Sequence, residues 1–238
     1  MEIKVILFDL DGTLLPMDQS EFVKAYFGLL AKKLAPYGYD PQTLIDAIWK
    51  GTGAMIKNDG SRNNEDAFWE VFQGIFGKSV TEHLPLFDEY YEKDFDRVQA
   101  SCGFTPEAAE TIRFLQARGM RVALATNPIF PTVATKKRIR WAGLVPEDFE
   151  LITTYENSRF CKPNPAYYLD IVNTLGVKPE ECVMVGNDVT EDMVTETLGM
   201  KVFLLTDCLI NKDAIDISRY PHGSFRELLA FLKSILSS

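Results

Sequence analysis

Short apolar runs alternate along most of the chain with segments in which apolar residues recur every three or four positions. The first run, residues 3–9, has the length and β-branched content of a strand buried on both faces. The strands predicted after it lie at 121–126, 151–154, 182–185 and 201–205, and the predicted helices lie at 106–118, 132–141, 165–175, 191–198 and 225–236. Strands and helices in alternation are typical of βαβ units and of a parallel sheet.

Residues 14–104 have a different hydrophobic pattern. Their apolar and aromatic residues recur at helical spacing, as Phe22, Tyr26 and Leu30 do, and glycine, proline and asparagine breakers separate the periodic stretches. No convincing strand pattern is found among them. This segment is therefore predicted to be a small helical bundle, rich in aromatic residues.

The sequence thus predicts an α/β protein in two parts. Residues 1–14 and 105–238 are expected to form a Rossmann-like parallel sheet with helices on both faces, and residues 15–104 a helical bundle inserted after the first strand. Thr105 is expected to cap the helix whose first residue is Pro106, because a hydroxyl at this position can accept a backbone N–H bond.

Polar residues gather where the predicted strands end. In open α/β sheets, ligands bind at the edge formed by the carboxyl ends of the strands, so we expect one site there. The candidate residues are Asp9 and Asp11 after the first strand, Thr126 and Asn127 after the second, Lys162 before the helix at 165–175, and Asp188 and Asp192 after the strand at 182–185.

Asp9 and Asp11 are the centre of this set. Two carboxylates one residue apart repel each other unless a cation lies between them or one of them holds a proton. Hard oxygen ligands of this kind suit Mg²⁺. A metal held by Asp9 and Asp188 would bind a phosphate oxygen and let the Asp9 carboxylate approach phosphorus. Asp11 could protonate the leaving oxygen and then deprotonate the attacking water.

Three further residues fit the same chemistry. Lys162 would neutralise the remaining charge and hold the nucleophile in place, and Thr126 would donate its hydroxyl to the phosphoryl group. The position of Asn127 makes it a candidate contact for phosphate or substrate. Each has a structural alternative as well: Thr126 as a β-branched strand end, Lys162 as a solvated lysine, and Asp192 as a first-turn carboxylate favoured by the helix dipole.

The chain resembles the haloacid dehalogenase-like hydrolase superfamily in four ordered motifs. These motifs are Asp9-Leu10-Asp11-Gly12-Thr13, then Thr126, then Lys162-Pro163, and finally Gly186-Asn187-Asp188 with Asp192. The resemblance implies a Rossmann-like core with the first strand central and phosphoryl transfer through an aspartyl-phosphate on Asp9. It also implies Mg²⁺ bound by the Asp9 carboxylate, the Asp11 backbone carbonyl and Asp188, with Asp192 supporting the site. Residues 15–104 lie where that family places a helical cap.

Composition narrows the classes of function. The formal net charge of −9 and the pI of about 4.9 argue against nucleic acid or an anionic membrane as the main partner, because nothing would neutralise their phosphates. The four cysteines form no C-x-x-C pair, so neither a zinc site nor a disulfide framework is expected. With no secretory signal pattern and no apolar run near the roughly 20 residues that span a bilayer, we expect a cytoplasmic protein.

Two stretches that resemble binding motifs are interpreted as ordinary structure. Residues 74–79 end like a phosphate-binding loop, but a helical pattern precedes them, so we expect a helix terminus there. The basic run at 136–140, which includes Arg138, is interpreted as a solvated helix face.

The expected function is a Mg²⁺-dependent phosphatase that acts on a small phosphorylated metabolite, with the helical bundle closing over the site. One alternative is a phosphotransferase or mutase on the same core, and another is a non-catalytic signalling domain phosphorylated on aspartate. The insert and the Asp-x-Asp pair argue against the signalling domain. Asp11 argues against dehalogenation, since the dehalogenases of the superfamily lack the second aspartate. The identity of the substrate and the oligomeric state stay open.

Overall fold

A parallel five-stranded sheet lies at the centre of the computed structural model, which describes residues 2–236. Its strands are β1 (Val5–Phe8), β2 (Arg121–Leu124), β3 (Cys182–Gly186), β4 (Lys201–Leu205) and β5 (His222–Gly223). They pair in the order β2-β1-β3-β4-β5, all parallel. β1 is an interior strand bonded on both sides, as expected, although β3 is the middle one. The α/β fold class is therefore confirmed.

The two faces of the sheet carry separate hydrophobic cores, because successive side chains of a strand point to opposite faces. In β1, Ile6 and Phe8 belong to one core, and Val5 and Leu7 belong to the other. The α-helices after residue 104 are α5 (Pro106–Gln116), α6 (Thr132–Trp141), α7 (Pro165–Leu175) and α8 (Phe225–Leu236). Residues of α5, α6 and α8 join the first core, whereas α7 joins the second.

All regular secondary structure in the segment 15–104 is helical, and the segment contains no strand. Its α-helices are α1 (Gln19–Leu34), α2 (Pro41–Ile56), α3 (Asn64–Phe76) and α4 (Leu84–Glu89), and shorter 3₁₀ or π turns lie at Ala35–Tyr37, Lys78–His83, Tyr90–Asp94 and Phe95–Ser101. Its apolar side chains are continuous with the core on the first face of the sheet. The helical nature of the segment is confirmed, and the division of the chain into two domains stays a prediction.

Three local predictions differ from the structure. The strand predicted at 151–154 is wrong: within it, Ile152 alone forms a bridge, to Leu124, and a turn follows at 155–157. Thr105 does lie at the start of α5, but its hydroxyl contacts the Glu107 carboxylate instead of capping the helix. The helix predicted at 191–198 is a shorter 3₁₀ helix, Met193–Leu198.

The first turn of α3 fastens the helical segment to the loops that carry the candidate site. Asn64 is fully buried, and its amide donates to the carbonyl oxygens of Pro128 at 3.2 Å and Phe160 at 3.4 Å. Its backbone N–H donates to the carbonyl of Ser158 at 2.8 Å. A buried amide satisfied in this way fixes the geometry of the loops it joins, one of which leads directly to Lys162.

None of the helices within residues 2–236 is long and apolar enough to cross a membrane.

Candidate active site

A buried lysine joins three segments of the chain at the carboxyl edge of the sheet. The ammonium group of Lys162, which precedes α7, lies 2.8 Å from Oδ1 of Asp9 and 2.6 Å from Oδ1 of Asp192. All three side chains are almost completely buried. The three predicted site residues therefore meet in space, although 183 positions separate the two aspartates along the chain (192 minus 9).

The protonation of this cluster follows from burial and from its own charges. Burial raises the pKa of Asp9, and the ammonium of Lys162 opposes that rise. Burial lowers the pKa of Lys162, but the carboxylates of Asp192 and Asp9 outweigh it and hold this pKa well above its usual range. Lys162 is therefore a stable cation. Its ammonium group is shared by the two carboxylates of Asp9 and Asp192.

The second oxygen of Asp9 is held by a residue of its own loop. The hydroxyl of Thr13 lies 3.1 Å from Oδ2 of Asp9 and 2.9 Å from Oδ1 of Asn187. The amide of Asn187 donates to the carbonyl of Cys208 at 2.7 Å. The loop reaches this position through Gly12, whose φ is +83° and whose missing Cβ leaves room for the Asn187 amide. The carboxylate of Asp9 is thus held in one orientation.

Asp11 is paired with an arginine that the sequence analysis assigned to solvent. Oδ2 of Asp11 accepts a hydrogen bond from Nη1 of Arg138, while Oδ1 is buried without a hydrogen-bond partner among the described residues. Arg138 is completely buried, and its guanidinium lies over the ring of Phe130, with Cζ 4.4 Å from the ring centroid. The interpretation of the basic run as a solvated helix face is wrong for Arg138.

The helical register explains this burial. Arg138 lies one turn after Ala134 and Thr135, which are both buried, so it shares the inward face of α6. Its guanidinium donates to the Thr135 hydroxyl at 3.3 Å. Lys137, the neighbouring residue in the basic run, pairs with Asp96.

Thr126 and Asn127 continue β2 into the same site. The carbonyl of Thr126 accepts hydrogen bonds from the hydroxyls of Thr153 at 2.8 Å and Tyr167 at 2.7 Å, and within residues 2–236 no hydrogen bond uses its own hydroxyl. The amide of Asn127 donates to the Glu191 carboxylate at 3.2 and 3.3 Å. Burial raises the pKa of Glu191 to about 7.

Asp188 and Asp192 have different surroundings. Asp188 binds the backbone amides of Thr190 and Glu191 through Oδ1 alone, at 2.8 and 2.9 Å. Both oxygens of Asp192 are engaged, one by Lys162 and the other by the backbone N–H of Asp188 at 3.0 Å. Asp192 therefore contacts the rest of the set through Lys162 and the backbone of Asp188.

The arrangement leaves two acidic side chains for a cation. Asp9 and Asp188 line the same cavity, where carboxylates outnumber the basic groups, and each carries hard oxygen atoms. In the part of the chain that the structure describes, no group of three His, Cys, Asp or Glu side chains is placed to hold a metal ion. The expected ligands include only two such side chains, Asp9 and Asp188, because the third ligand is the backbone carbonyl of Asp11. The negative charge of the two carboxylates fits a divalent cation.

The site opens into a cavity of about 370 Å³ between the sheet edge and the helical segment. The sequence-predicted residues that line it are Asp9, Asp11, Thr126, Asn127, Asp188 and Asp192. Lys162 is not a lining residue, but it contacts Asp9, which is one. No role in the site was predicted from the sequence for Thr13, Arg138 or Glu191. Two signals were available in the sequence: Thr13 belongs to the first motif, and Arg138 follows Ala134 and Thr135 at helical spacing. Glu191 occupies an ordinary turn position.

Comparison with known proteins places the chain in a family. The sequence profile of the haloacid dehalogenase-like hydrolases matches residues 3–194, and the chain belongs to that family. It is 26% identical over 215 residues to a pyrophosphatase, PpaX, of Halalkalibacterium halodurans, which covers 90% of this chain and 89% of that protein. It is 25% identical over 201 residues to a phosphoglycolate phosphatase of Aquifex aeolicus, with 84% of each chain covered.

Solved structures share the fold. A phosphatase of this family from Thermococcus onnurineus aligns with a TM-score of 0.58 at 20% identity and covers 97% of this chain and 98% of its own. A 2-haloacid dehalogenase from Pseudomonas syringae aligns with a TM-score of 0.63 at 22% identity and covers 99% and 98%. Because a phosphatase and a dehalogenase share this fold, the fold alone does not decide the chemistry, and the site residues must do so.

The buried pair of Arg138 and Asp11 gives a stability prediction. Arg138→Met should lower the free energy of unfolding by about 2–4 kcal/mol, because it leaves a largely buried carboxylate without its partner. Urea unfolding followed by circular dichroism measures the effect. Arg140→Met is the matched control on the exposed face of α6 and should change stability by less than about 0.5 kcal/mol. Equal midpoints for the two variants would show that the Arg138 pair does not form.

Proposed function

We propose that the protein is a Mg²⁺-dependent phosphatase that hydrolyses a small phosphomonoester through an aspartyl-phosphate on Asp9. The observation that carries the proposal is the Asp9 carboxylate, which lines the cavity and is held between Lys162 and Thr13. Asp11 lines the same cavity, and one of its oxygens has no hydrogen-bond partner among the described residues. The names of the relatives, a pyrophosphatase and a phosphoglycolate phosphatase, support a reaction at phosphorus.

In the first step, an oxygen of Asp9 attacks phosphorus and the bond from phosphorus to the ester oxygen breaks. Asp11 donates a proton to that oxygen, so the leaving group departs as a neutral alcohol. In the second step, water attacks the phosphorus of the aspartyl-phosphate and gives its proton to Asp11. Inorganic phosphate leaves and the Asp9 carboxylate is restored.

Lys162 and Thr126 act on charge and position. The ammonium of Lys162, itself fixed by Asp192, holds the Asp9 carboxylate and offsets the charge that gathers on the phosphoryl oxygens. The hydroxyl of Thr126, which makes no other hydrogen bond among the described residues, donates to one of those oxygens. Asn127 borders the same space, and its amide nitrogen is already bonded to Glu191.

Mg²⁺ would be held by the carboxylates of Asp9 and Asp188 and by the backbone carbonyl of Asp11. When bound, it neutralises the charge between an anionic nucleophile and an anionic phosphoryl group. The Asp192 carboxylate accepts a hydrogen bond from the backbone N–H of Asp188 and so keeps the loop after β3 in place. Gly186 permits this approach, since a Cβ there would overlap the Asp192 carboxylate.

Asp11 separates this proposal from dehalogenation. A halide leaves without a proton, whereas the alkoxide of a phosphate ester needs one. Oδ2 of Asp11 is occupied by Arg138, and Oδ1 remains as the atom that can exchange a proton in the cavity. Arg138 thereby orients the acid without itself lining the cavity.

The nucleophile is tested by Asp9→Asn. The variant should lower Mg²⁺-dependent turnover of para-nitrophenyl phosphate on the order of 10³-fold or more, because an amide cannot form the phosphoryl intermediate. Phosphate release measures the rate, and circular dichroism checks that the variant is folded. A chelator should abolish wild-type activity, and added Mg²⁺ should restore it. Turnover by the variant at the wild-type rate would refute the role of Asp9.

The acid is tested by Asp11→Asn, which keeps a partner for Arg138. We expect kcat for an alkyl phosphate to fall by about 10²-fold or more, and kcat for para-nitrophenyl phosphate to fall much less, because nitrophenolate departs without a proton. Steady-state kinetics with the two esters give both values. If both substrates slow by the same factor, Asp11 is not the proton donor.

A further inference from the structure

The helical segment contributes mostly aromatic and aliphatic side chains to the cavity at the candidate active site. We refer to the part contributed by the helical segment as the aromatic chamber. The rings that define it are Phe22, Tyr26, Phe27, Trp49, Trp69 and Tyr91. Several of them pack edge to face, which fixes their orientation: the centroids of Phe27 and Trp49 are 5.4 Å apart with an interplanar angle of 75°.

Charge is absent from this wall. Residues 15–104 all lie within the described part of the chain, and none of those that line the cavity is a lysine, arginine, histidine, aspartate or glutamate. Among all lining residues in 2–236, Lys212 is the only cation, and it is an exposed side chain on the loop after β4. The acidic groups that line the cavity come from the sheet edge, as Asp9 and Asp188 do.

A few polar groups lie among the rings. The hydroxyls of Tyr26 and Tyr91 are 2.8 Å apart, and Thr52 is a buried lining residue of α2. Burial raises the pKa of Tyr26 to about 12, so its phenol is neutral. Sparse neutral groups in an apolar wall can orient a ligand without attracting a charged one.

Two large apolar side chains that line the cavity, Trp49 and Ile56, are exposed. Trp49, Thr52 and Ile56 lie on one face of α2, at the spacing i, i+3, i+7, and all three line the cavity. Trp49 is 51% exposed and Ile56 is 48% exposed. Large apolar side chains exposed next to a cavity mark a surface that a ligand covers.

From this wall, and resting on the proposed phosphatase function, we infer that the substrate is the phosphate ester of an uncharged aromatic alcohol. Its phosphoryl group would meet Asp9 and Lys162, and its ring system would fill the aromatic chamber and reach Trp49 at the mouth. Aromatic rings gain both buried area and favourable edge contacts there.

The same wall disfavours substrates with a second anionic group. The carboxylate of phosphoglycolate or the second phosphate of pyrophosphate would enter the chamber without a cation to receive it, and burying an unpaired charge is strongly unfavourable. An exposed lysine such as Lys212 offers little compensation, because water screens it. The substrate class of this chain therefore differs from those named for its relatives.

The test compares two phosphate esters of primary alcohols, so that the reactivity of the leaving group is similar. With the full chain and Mg²⁺, kcat/KM for naphthylmethyl phosphate should exceed that for phosphoglycolate by at least about tenfold. Pyrophosphate should be turned over no better than phosphoglycolate. Naphthylmethanol, the free alcohol, should compete with the ester and quench tryptophan fluorescence.

Two variants test whether Trp49 produces the preference for the aromatic ester. Trp49→Ala should reduce the ratio of kcat/KM for naphthylmethyl phosphate to that for phosphoglycolate by about tenfold, because it removes the ring at the mouth. Tyr37→Ala is the matched control: Tyr37 is an aromatic residue of the same segment, is 49% exposed, and lies outside the cavity. It should leave the ratio unchanged.

The outcomes separate the two proposals. Turnover that favours phosphoglycolate or pyrophosphate, or a ratio that Trp49→Ala does not change, would overturn the inference while leaving the phosphatase in place. Failure to hydrolyse any ester, para-nitrophenyl phosphate included, would overturn the proposed function itself.

Discussion

The ammonium of Lys162, held between Asp9 and Asp192, is the interaction on which the site depends. It joins the end of β1, the loop before α7 and the loop after β3, three segments that the parallel sheet brings to one edge. A fully buried lysine is stable only because two carboxylates receive it. The consequence is that the Asp9 carboxylate is fixed in orientation beside a cavity that several acidic side chains line.

Much of this arrangement could be predicted from the sequence, because its causes are local. Strands buried on both faces appear as continuous apolar runs, and the polar residues that follow such runs must share the carboxyl edge of a parallel sheet. The positions of Asp9, Thr126 and Asp188 follow from those two rules alone. The resemblance to the haloacid dehalogenase-like hydrolases added the order of the motifs, and the match over residues 3–194 confirmed the family.

The rest depends on contacts between distant segments, which no local pattern records. Arg138 is one of several basic residues on a short helix, and its pairing with Asp11 depends on contacts that come from outside that helix. Asn64 reads as a polar helix start, yet its amide fastens the helical segment to the loop that leads to Lys162. The helical spacing of the aromatic residues in that segment predicts a bundle, but it does not indicate which of the rings line the cavity.

The central claim is that the orientation of Asp9 serves a covalent step, and mass spectrometry of acid-quenched enzyme tests it most directly. Enzyme mixed with Mg²⁺ and a phosphate ester, then quenched during turnover, should yield a peptide containing Asp9 whose mass has increased by one phosphoryl group. The same peptide from Asp9→Asn should be unmodified. Turnover without any modified peptide, or a phosphoryl group found on another residue, would contradict the account.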